Sequence, residues 1–260
     1  MANRSFFISD SNVVSPAARA LNYVLAFALL TLVFTFAFQQ SLYSWNWIAV
    51  LKYWRVFVQG WLITVMISAS ALVISAALGL FLALARRSSL LALRYASRIY
   101  VELIRGTPLL VQISIFFYIV ATAFHVTNRY LAGALILSGF SGAYISEIIR
   151  AGIESVGKSQ LESAKAIGLT RAQTYRYVIF PQAIRQILPS LAGQFVSLVK
   201  DSSLLSILGI EEFTWHAEGV NSATYSNLEG FLLLAAGYLI LTLPISLWTQ
   251  SLEQRHRFET

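Results

Sequence analysis

Long apolar segments separated by short basic segments constrain this chain more than any other feature of its sequence. Several of these segments approach the ~20 residues that an α-helix needs to cross a lipid bilayer. Hydrophobic residues make up 57% of the 260 residues and charged residues 12%, whereas soluble domains carry about 25% charged residues. The combination predicts an all-α integral membrane protein that crosses the bilayer several times.

The apolar segments predict about six transmembrane helices, each with a length near that required to cross the bilayer. The third is short, and it follows Gly106-Thr107-Pro108, where proline interrupts the preceding helix. The six predicted spans cover residues 20–38, 58–84, 109–124, 130–149, 189–210 and 228–248.

Lysine and arginine predict the orientation of the spans, because cytoplasmic connections carry an excess of both. The second-to-third and fourth-to-fifth connections are rich in them, whereas the opposite side holds Lys52, Arg55 and Arg129. We therefore expect both termini, which add Arg4 and Arg257, to be cytoplasmic. The net charge of +7 does not indicate a nucleic acid partner, since the basic residues alternate with spans instead of forming one soluble face.

The sequence offers little for metal or covalent chemistry. It has no cysteine, and its histidines, His125, His216 and His256, are scattered. We therefore expect neither a metal site nor a catalytic residue. The apolar run at 20–38 exceeds the 7–15 residues of a signal-peptide core, so it is predicted to be a transmembrane helix. The sequence shows no internal repeat, which argues against a single-chain secondary transporter with two inverted halves.

A polar segment at 159–181 lies between the fourth and fifth spans and predicts a helical hairpin. Ser159 and Glu162 have the spacing of a capping box, which places the start of the first helix at Gln160. Gly168 stands where a left-handed cap would end that helix.

The second helix of the hairpin is predicted to start at another capping box, formed by Thr170 and Gln173, and to end at Pro181. On the first helix, small and apolar groups share one face, which is narrow enough to enter a cleft on a partner. That face comprises Leu161, Ala164, Lys165 and Gly168. The alternative is a loop lying on the membrane surface, in which Glu162 only caps the helix.

The hairpin resembles the cytoplasmic coupling loop of binding-protein-dependent ABC importers. That loop follows the pattern Glu-Ala-Ala, three residues, Gly, nine residues, Ile-x-Leu-Pro. The chain departs from the pattern at Ser163, Val178 and Phe180. The resemblance implies that the residues coupling the chain to an ATPase are Glu162, Ser163, Ala164, Gly168 and Leu169.

Segments 102–112, 147–153 and 199–204 resemble the branch of this family that imports polar amino acids of the histidine, glutamine and glutamate type. The family likeness covers about 58–253 as a five-helix permease core. It leaves 1–57 as an N-terminal segment with an additional transmembrane helix and 254–260 as a cytoplasmic tail.

Membership of that branch implies a multi-pass permease subunit, not an enzyme, in the bacterial cytoplasmic (inner) membrane. It implies two cytoplasmic ATPase subunits, which bind ATP and Mg²⁺, and an extracytoplasmic solute-binding protein. It also implies a second permease chain, as a homodimer or heterodimer. The chain itself would bind no cofactor, and its substrate would be a glutamate-like, glutamine-like or basic amino acid.

A second motif competes with this interpretation. Residues 152–159 satisfy Gly-x-x-x-x-Gly-Lys-Ser, the phosphate-binding loop of nucleotide hydrolases, which needs a strand before it and a helix after it. The preceding segment is a predicted spanning helix, and Asp201 is poorly placed for Mg²⁺. A membrane-attached nucleotide hydrolase is therefore an alternative that the context disfavours.

Lys200 and Asp201 fall near the middle of the predicted fifth span. An unpaired charge there costs at least about 2.5–3.5 kcal/mol, so both should face a cavity or a partner. Ser190, Gln194 and Ser197 project on the same side of the helix as Asp201. The predicted substrate-pathway residues are Gln112, Tyr144, Gln194, Ser197, Lys200 and Asp201. Helix–helix hydrogen bonding, a Lys200–Asp201 ion pair and an ion-coupled secondary transporter remain open alternatives.

Overall fold

The structure, a computed structural model, describes residues 15–40 and 43–256, with side chains up to Ser251. Every regular element in these residues is helical, which confirms the predicted fold class. Arg4 and Arg257, the terminal basic residues used to predict the orientation, lie outside the described residues. The helices are α1 (Pro16–Gln40), α2 (Trp47–Leu51), α3 (Trp54–Ala85), α4 (Leu91–Gly106), α5 (Leu109–Ile115), α6 (Arg129–Glu154), α7 (Lys158–Ala166), α8 (Arg171–Thr174), α9 (Phe180–Asp201), α10 (Phe213–Thr224) and α11 (Asn227–His256).

The chain divides between Asn46 and Trp47 into two compact units. The first contains α1, an apolar helix of spanning length, and the second contains α2 to α11. The functional division predicted at residue 57 stays a prediction.

Five helical segments of the described chain are long and apolar enough to cross a membrane, and a bent pair supplies a sixth candidate. The five are Pro16–Gln40, Trp54–Ala85, Arg129–Glu154, Arg171–Leu208 and Asn227–Ser251. The pair joins Leu91–Gly106 to Leu109–Ala121 at an angle of 115°. Each predicted span therefore has a counterpart, although several boundaries differ.

The break between α4 and α5 is held by a buried glutamine. Thr107 and Pro108 are extended, as expected for a residue that precedes proline and for proline itself. The Gln112 amide nitrogen donates to the carbonyl oxygens of Ile104 at 2.6 Å and Thr107 at 3.0 Å, and contacts the Thr107 hydroxyl at 2.8 Å. The predicted interruption before residue 109 is therefore confirmed.

The predicted start of the fifth span at Pro189 and the predicted stop at Pro181 are both wrong. Pro181 lies in the first turn of α9, directly after the π-helical turn at Tyr175–Ile179, and does not end the helical chain. Pro189 lies inside α9, as proline can in membrane helices whose neighbours compensate the freed carbonyl. The helical chain runs from α8 through a π-helical turn at Tyr175–Ile179 into α9 and ends in a 3₁₀ helix at Ser202–Leu208. Lys200 and Asp201 consequently lie near the end of this span instead of its middle.

The core of the second unit forms around α6. The Ser138 hydroxyl of α6 is 3.2 Å from the Ala71 carbonyl of α3, and Gln194 of α9 donates to the Ser141 hydroxyl at 3.3 Å. Further along, α9 crosses α6 so closely at Gly152 that any Cβ there would overlap Ile187. These contacts bring the ends of α3, α4 and α6 and the start of α9 to one end of the unit. This end, which carries α7 and α8, is the hairpin side.

Candidate functional site

The polar hairpin has the predicted turn. Gly168 adopts φ +79°, a left-handed conformation that favours glycine. The N–H groups of Gly168 and Leu169 donate to the carbonyls of Lys165 and Ala164, both at 3.0 Å, which satisfies the end of α7. The side of Gly168 where a Cβ would point is open.

Of the two predicted capping boxes, one is wrong and one is confirmed. Helix α7 begins at Lys158 with Gly157 as its cap, so Ser159 already lies in the first turn and makes no capping bond. Glu162 is therefore not needed to start the helix. The Thr170 box is present, with the Gln173 N–H 3.3 Å from the Thr170 hydroxyl and the Gln173 side chain accepting from the Thr170 N–H at 2.9 Å.

Of the α7 face that is predicted to enter a partner cleft, Leu161 and Ala164 pack against the chain itself, whereas Lys165 and Gly168 are exposed. Ala164 is only 3% exposed. Leu161 packs on an apolar cluster that contains Val156, Ile179 and Ala183. This packing fixes the hairpin to the end of α6 and to the start of α9.

The opposite surface of the hairpin is available to a partner. Glu162 and Ser163 are exposed, and Gly168 lies beside them at the turn. Ile167 is 76% exposed and Tyr177 is 62% exposed, so this surface also has an apolar part, which the sequence interpretation missed. The sequence signal that could have revealed this apolar part is an isolated isoleucine next to the turn glycine of a polar hairpin. A shallow cavity of about 360 Å³ lies here, and Leu169 contributes to its lining.

A polar cavity of about 220 Å³ lies between α4, α6 and α9 on the hairpin side. Of the predicted pathway residues, only Tyr144 lines it. The Arg105 guanidinium lies 5.5 Å from the centre of the Tyr144 ring, a cation–π distance. Glu147, Gln186 and Ser190 supply the other polar groups. The cavity therefore presents both charge signs and neutral hydrogen-bonding groups within one small volume.

Glu147 is the centre of an ion-pair network that joins three helices. Its Oε2 atom lies 2.7 Å from Nη1 of Arg86 at the end of α3, and 3.1 Å from Nε of Arg150 on α6. Its Oε1 atom lies 3.5 Å from Nη1 of Arg105 on α4 and also accepts from Nη2 of Arg150. Arg150 additionally pairs with Glu154. The Glu147 carboxylate thus pairs with three arginines and links α3, α4 and α6 on the hairpin side.

The remaining pathway candidates lie apart from this cavity. Gln112 is engaged at the α4–α5 break, and the cavity of about 380 Å³ that it lines is mostly apolar, which does not suit a polar solute. Gln194 bridges α9 to α6. Ser197 and Lys200 are exposed on α9, and Asp201 is half-buried. The described residues place no ion-pair partner within 4.0 Å of Lys200 or Asp201, so these two residues do not form a close ion pair with each other.

The residues of the competing phosphate-loop motif adopt a different structure. Gly152 and Glu154 lie in α6, and Lys158 is the first residue of α7. A helix precedes the loop where nucleotide binding requires a strand, so backbone N–H groups do not surround a phosphate.

At the opposite end, a buried carboxylate that the sequence interpretation did not single out ties α10 to α3 and α11. Glu212 is fully buried, and its Oε2 accepts from the hydroxyls of Thr64 at 3.2 Å and Tyr238 at 3.1 Å. Its Oε1 accepts from the Trp215 N–H at 3.0 Å. Burial raises the pKa of the Glu212 carboxyl, and these hydrogen bonds partly oppose that rise.

Residues 75–258 match a family described as the binding-protein-dependent transport system inner membrane component. The chain belongs to this family. It is 37% identical over 202 residues to a putative glutamine transport system permease of Rickettsia conorii, which spans 76% of this chain and 91% of that protein. It is 32% identical over 214 residues to the glutamine transport system permease of Escherichia coli K12, covering 82% and 98% of the two chains.

Solved structures agree with this assignment. A chain from the crystal structure of an amino acid ABC transporter with histidines is 36% identical, has a TM-score of 0.76, and covers 82% of this chain and 100% of its own length. A chain of an inward-facing methionine ABC transporter has a TM-score of 0.60 at 16% identity and shows the fold alone.

Family membership establishes what kind of subunit this is. The chain is a permease subunit of a binding-protein-dependent ABC importer in the inner membrane, and it is not an enzyme. An ATPase on a separate subunit and a solute-binding protein are its partners.

Proposed function

We propose that this permease translocates polar amino acids, with glutamine as the first candidate and glutamate and the basic amino acids as the others. The observation that carries the proposal is the 32–37% identity to glutamine permeases over 91–98% of their lengths. The solved amino acid transporter with 36% identity supports the same substrate class.

The polar cavity on the hairpin side supports a zwitterionic solute. An amino acid carries a carboxylate, which is complementary to the guanidinium of Arg105, the arginine that pairs least closely with Glu147. Gln186 and Ser190 add neutral groups that fix orientation without a large electrostatic cost. Tyr144 bounds the cavity and holds Arg105 over its ring.

The exposed charge on α9 supports a second permease chain. Lys200 is exposed within a span that is long and apolar enough to cross the membrane. Charged side chains within spans almost always face a protein surface or a water-filled cavity, so Lys200, near the end of this span, should do the same. Ser197, which is exposed, lies one turn before Asp201 on the same side of α9. Two permease chains facing each other across this surface would enclose the pathway, either as a homodimer or as a heterodimer.

The hairpin supports coupling to the ATPase. Two ATPase subunits, one for each permease chain, would bind ATP and Mg²⁺ and contact the exposed residues Glu162, Ser163, Ile167 and Gly168. Because Leu161 and Ala164 anchor the hairpin internally, movement of the ATPase would tilt α6 and α9. Tilting these helices changes the polar cavity that lies between them.

Reconstitution with a separate ATPase and a solute-binding protein tests the substrate class. Proteoliposomes that contain ATP and Mg²⁺ should accumulate L-glutamine only when the binding protein is outside, and L-glutamate, L-arginine and L-histidine should rank as competitors. Uptake driven by a Na⁺ or H⁺ gradient without the ATPase would establish an ion-coupled secondary transporter instead. Uptake of a solute that none of these amino acids competes with would refute the amino acid proposal.

The distribution of basic residues supports an orientation with both termini and the hairpin in the cytoplasm. Reporter fusions after Thr260 and at Ser222 should report cytoplasmic and external locations, respectively. The same location for both fusions would refute the six-span topology.

A further inference from the structure

A basic cavity of about 670 Å³ lies on the hairpin side, apart from the polar cavity and from the exposed surface of the hairpin. Its volume falls in the ~300–1,000 Å³ range of small-molecule sites. Five arginines and one glutamate line it, together with Tyr95 and two apolar residues. The charged members are Arg86, Arg87, Arg94, Arg98, Arg150 and Glu154.

The positive charge of this cavity is only partly neutralised within the chain. Arg86, Arg98 and Arg150 each have a carboxylate partner. Arg94 donates from Nε and Nη2 to the Ser88 carbonyl at 2.9 and 2.6 Å, which orients its guanidinium and leaves donors free. In the described part of the chain, the Arg87 guanidinium has neither a hydrogen-bond nor an ion-pair partner, and only the Arg87 backbone N–H donates, to the Leu84 carbonyl at 3.0 Å. Two guanidinium groups therefore remain available for an anion.

Helix α4 shows where this cavity lies relative to lipid. Leu91, Tyr95, Ile99 and Leu103 are each 55–62% exposed and form one apolar stripe at intervals of four residues. Ser97, Val101 and Ile104 form the buried face. At 100° per residue, Arg94 and Arg98 fall between the exposed apolar stripe and the buried face.

The arrangement on α4 is that of a helix in the membrane interface. The helix is bent by 115° from the apolar arm that follows it, so the two do not form one straight span. An exposed apolar stripe beside arginines suits a helix that inserts its apolar side at the acyl boundary and keeps its cations at the headgroup level.

We propose that the basic cavity binds the phosphate headgroup of an anionic phospholipid, with the acyl chains lying along the Leu91–Leu103 stripe. Basic pockets between membrane helices are suited to anionic headgroups. Tyr95 lines the cavity and also belongs to the stripe, so the polar and apolar parts of the ligand site are continuous. A soluble phosphate would make no use of the stripe. The inference goes beyond the proposed function and does not depend on which solute is transported.

Lipid titration of the purified full-length chain in neutral detergent tests the proposal. Dioctanoyl-phosphatidylglycerol should bind more tightly than dioctanoyl-phosphatidylcholine of the same chain length. The Arg87→Gln/Arg94→Gln variant should lose about tenfold or more of its phosphatidylglycerol affinity, since each arginine near a headgroup contributes about fivefold. Arg171→Gln/Arg176→Gln removes equal charge from the hairpin and is the matched control, with unchanged affinity expected.

Two further measurements keep the outcome decisive. Arg87→Gln alone removes no hydrogen bond or ion pair of the described chain, so its expected loss of about fivefold does not depend on a lost internal polar contact. Inorganic phosphate in large excess should leave phosphatidylglycerol bound, whereas full displacement would assign the cavity to soluble anions and overturn the proposal. Wild-type lipid affinity in Arg87→Gln/Arg94→Gln would also overturn it, and lost ATPase association in that variant would then assign these arginines to the partner protein.

Discussion

Replacement of Glu147 by glutamine tests whether one carboxylate holds the hairpin side together. The side chain keeps its shape and loses its charge, so Arg86, Arg105 and Arg150 face one another without their shared anion. Their mutual repulsion acts on the ends of α3, α4 and α6. Arg150 retains Glu154, so the strongest effect should fall on Arg86 and Arg105.

The expected magnitude follows from the exposure of the groups. Exposed ion pairs contribute about 0.2–1 kcal/mol, whereas removal of one partner from a buried pair costs about 3–5 kcal/mol. The side chains of Glu147 and Arg86 are 19% and 16% exposed, so the pair lies between these limits and nearer the buried one. We expect Glu147→Gln to lower the free energy of unfolding by about 2–3 kcal/mol. That corresponds to a fall in Tm of about 4–12 °C.

Thermal unfolding of the purified chain in detergent, followed by tryptophan fluorescence, measures this effect. Glu102→Gln is the matched control, because Glu102 pairs with Arg98 at 2.8 Å while both side chains are more than 60% exposed. It should cost less than about 0.5 kcal/mol. Equal shifts in Tm for the two variants, or no shift for Glu147→Gln, would refute a stabilising role for the network.

Three other substitutions test coupling, the pathway and the phosphate-loop motif. Gly168→Asp should still insert in the membrane, because no atom lies within 4 Å of the added Cβ, but it should lose ATPase association in pull-down assays. Gly168→Asn is the uncharged control. Normal assembly of the Gly168→Asp variant with the ATPase would show that the hairpin is not the coupling element. Asp201→Asn should lower the uptake rate or change which amino acids are taken up, without reducing the amount of protein in the membrane, because it removes a charge that has no close ion-pair partner in the described chain. Unchanged uptake kinetics for all tested amino acids would show that Asp201 contributes only to packing. We expect the isolated chain to bind no nucleotide, either before or after Lys158→Ala, and the substitution should change uptake by no more than a modest factor. Saturable Mg²⁺-dependent ATP binding to the wild-type chain would contradict this prediction.

Local sequence signals predicted the parts of the fold that depend on local physics. The break before residue 109 follows from Pro108, the left-handed turn from Gly168, and the second hairpin helix from Thr170 and Gln173. Each rests on the backbone preference of one residue or on a hydrogen bond that spans three positions. Such signals are present in the sequence whatever the surrounding protein does.

The errors arose where tertiary contacts override local preference. Pro189 was interpreted as the start of a helix, but α9 continues through it inside a packed bundle. The sequence assigns Ala164 to a partner-facing surface, because its helical position does not show that the rest of the chain buries it. The Arg86–Glu147 pair joins residues 61 positions apart, and no local pattern predicts it.

The charged groups of this chain fall into two sets: those that have an ion-pair or hydrogen-bond partner within the fold, and those that have no ion-pair partner in the described chain. Glu147 has three arginines, and Glu212 has two hydroxyl donors and a backbone N–H. Lys200 and Asp201 have no ion-pair partner within 4.0 Å in the described chain, although both lie in a helical stretch of spanning length. Because charged side chains in spans almost always pair or face a water-filled cavity, groups that the isolated subunit leaves unpaired mark the surface that an assembled transporter must cover or hydrate. The satisfied carboxylates are therefore expected to govern stability, whereas Lys200 and Asp201 are expected to govern assembly and transport.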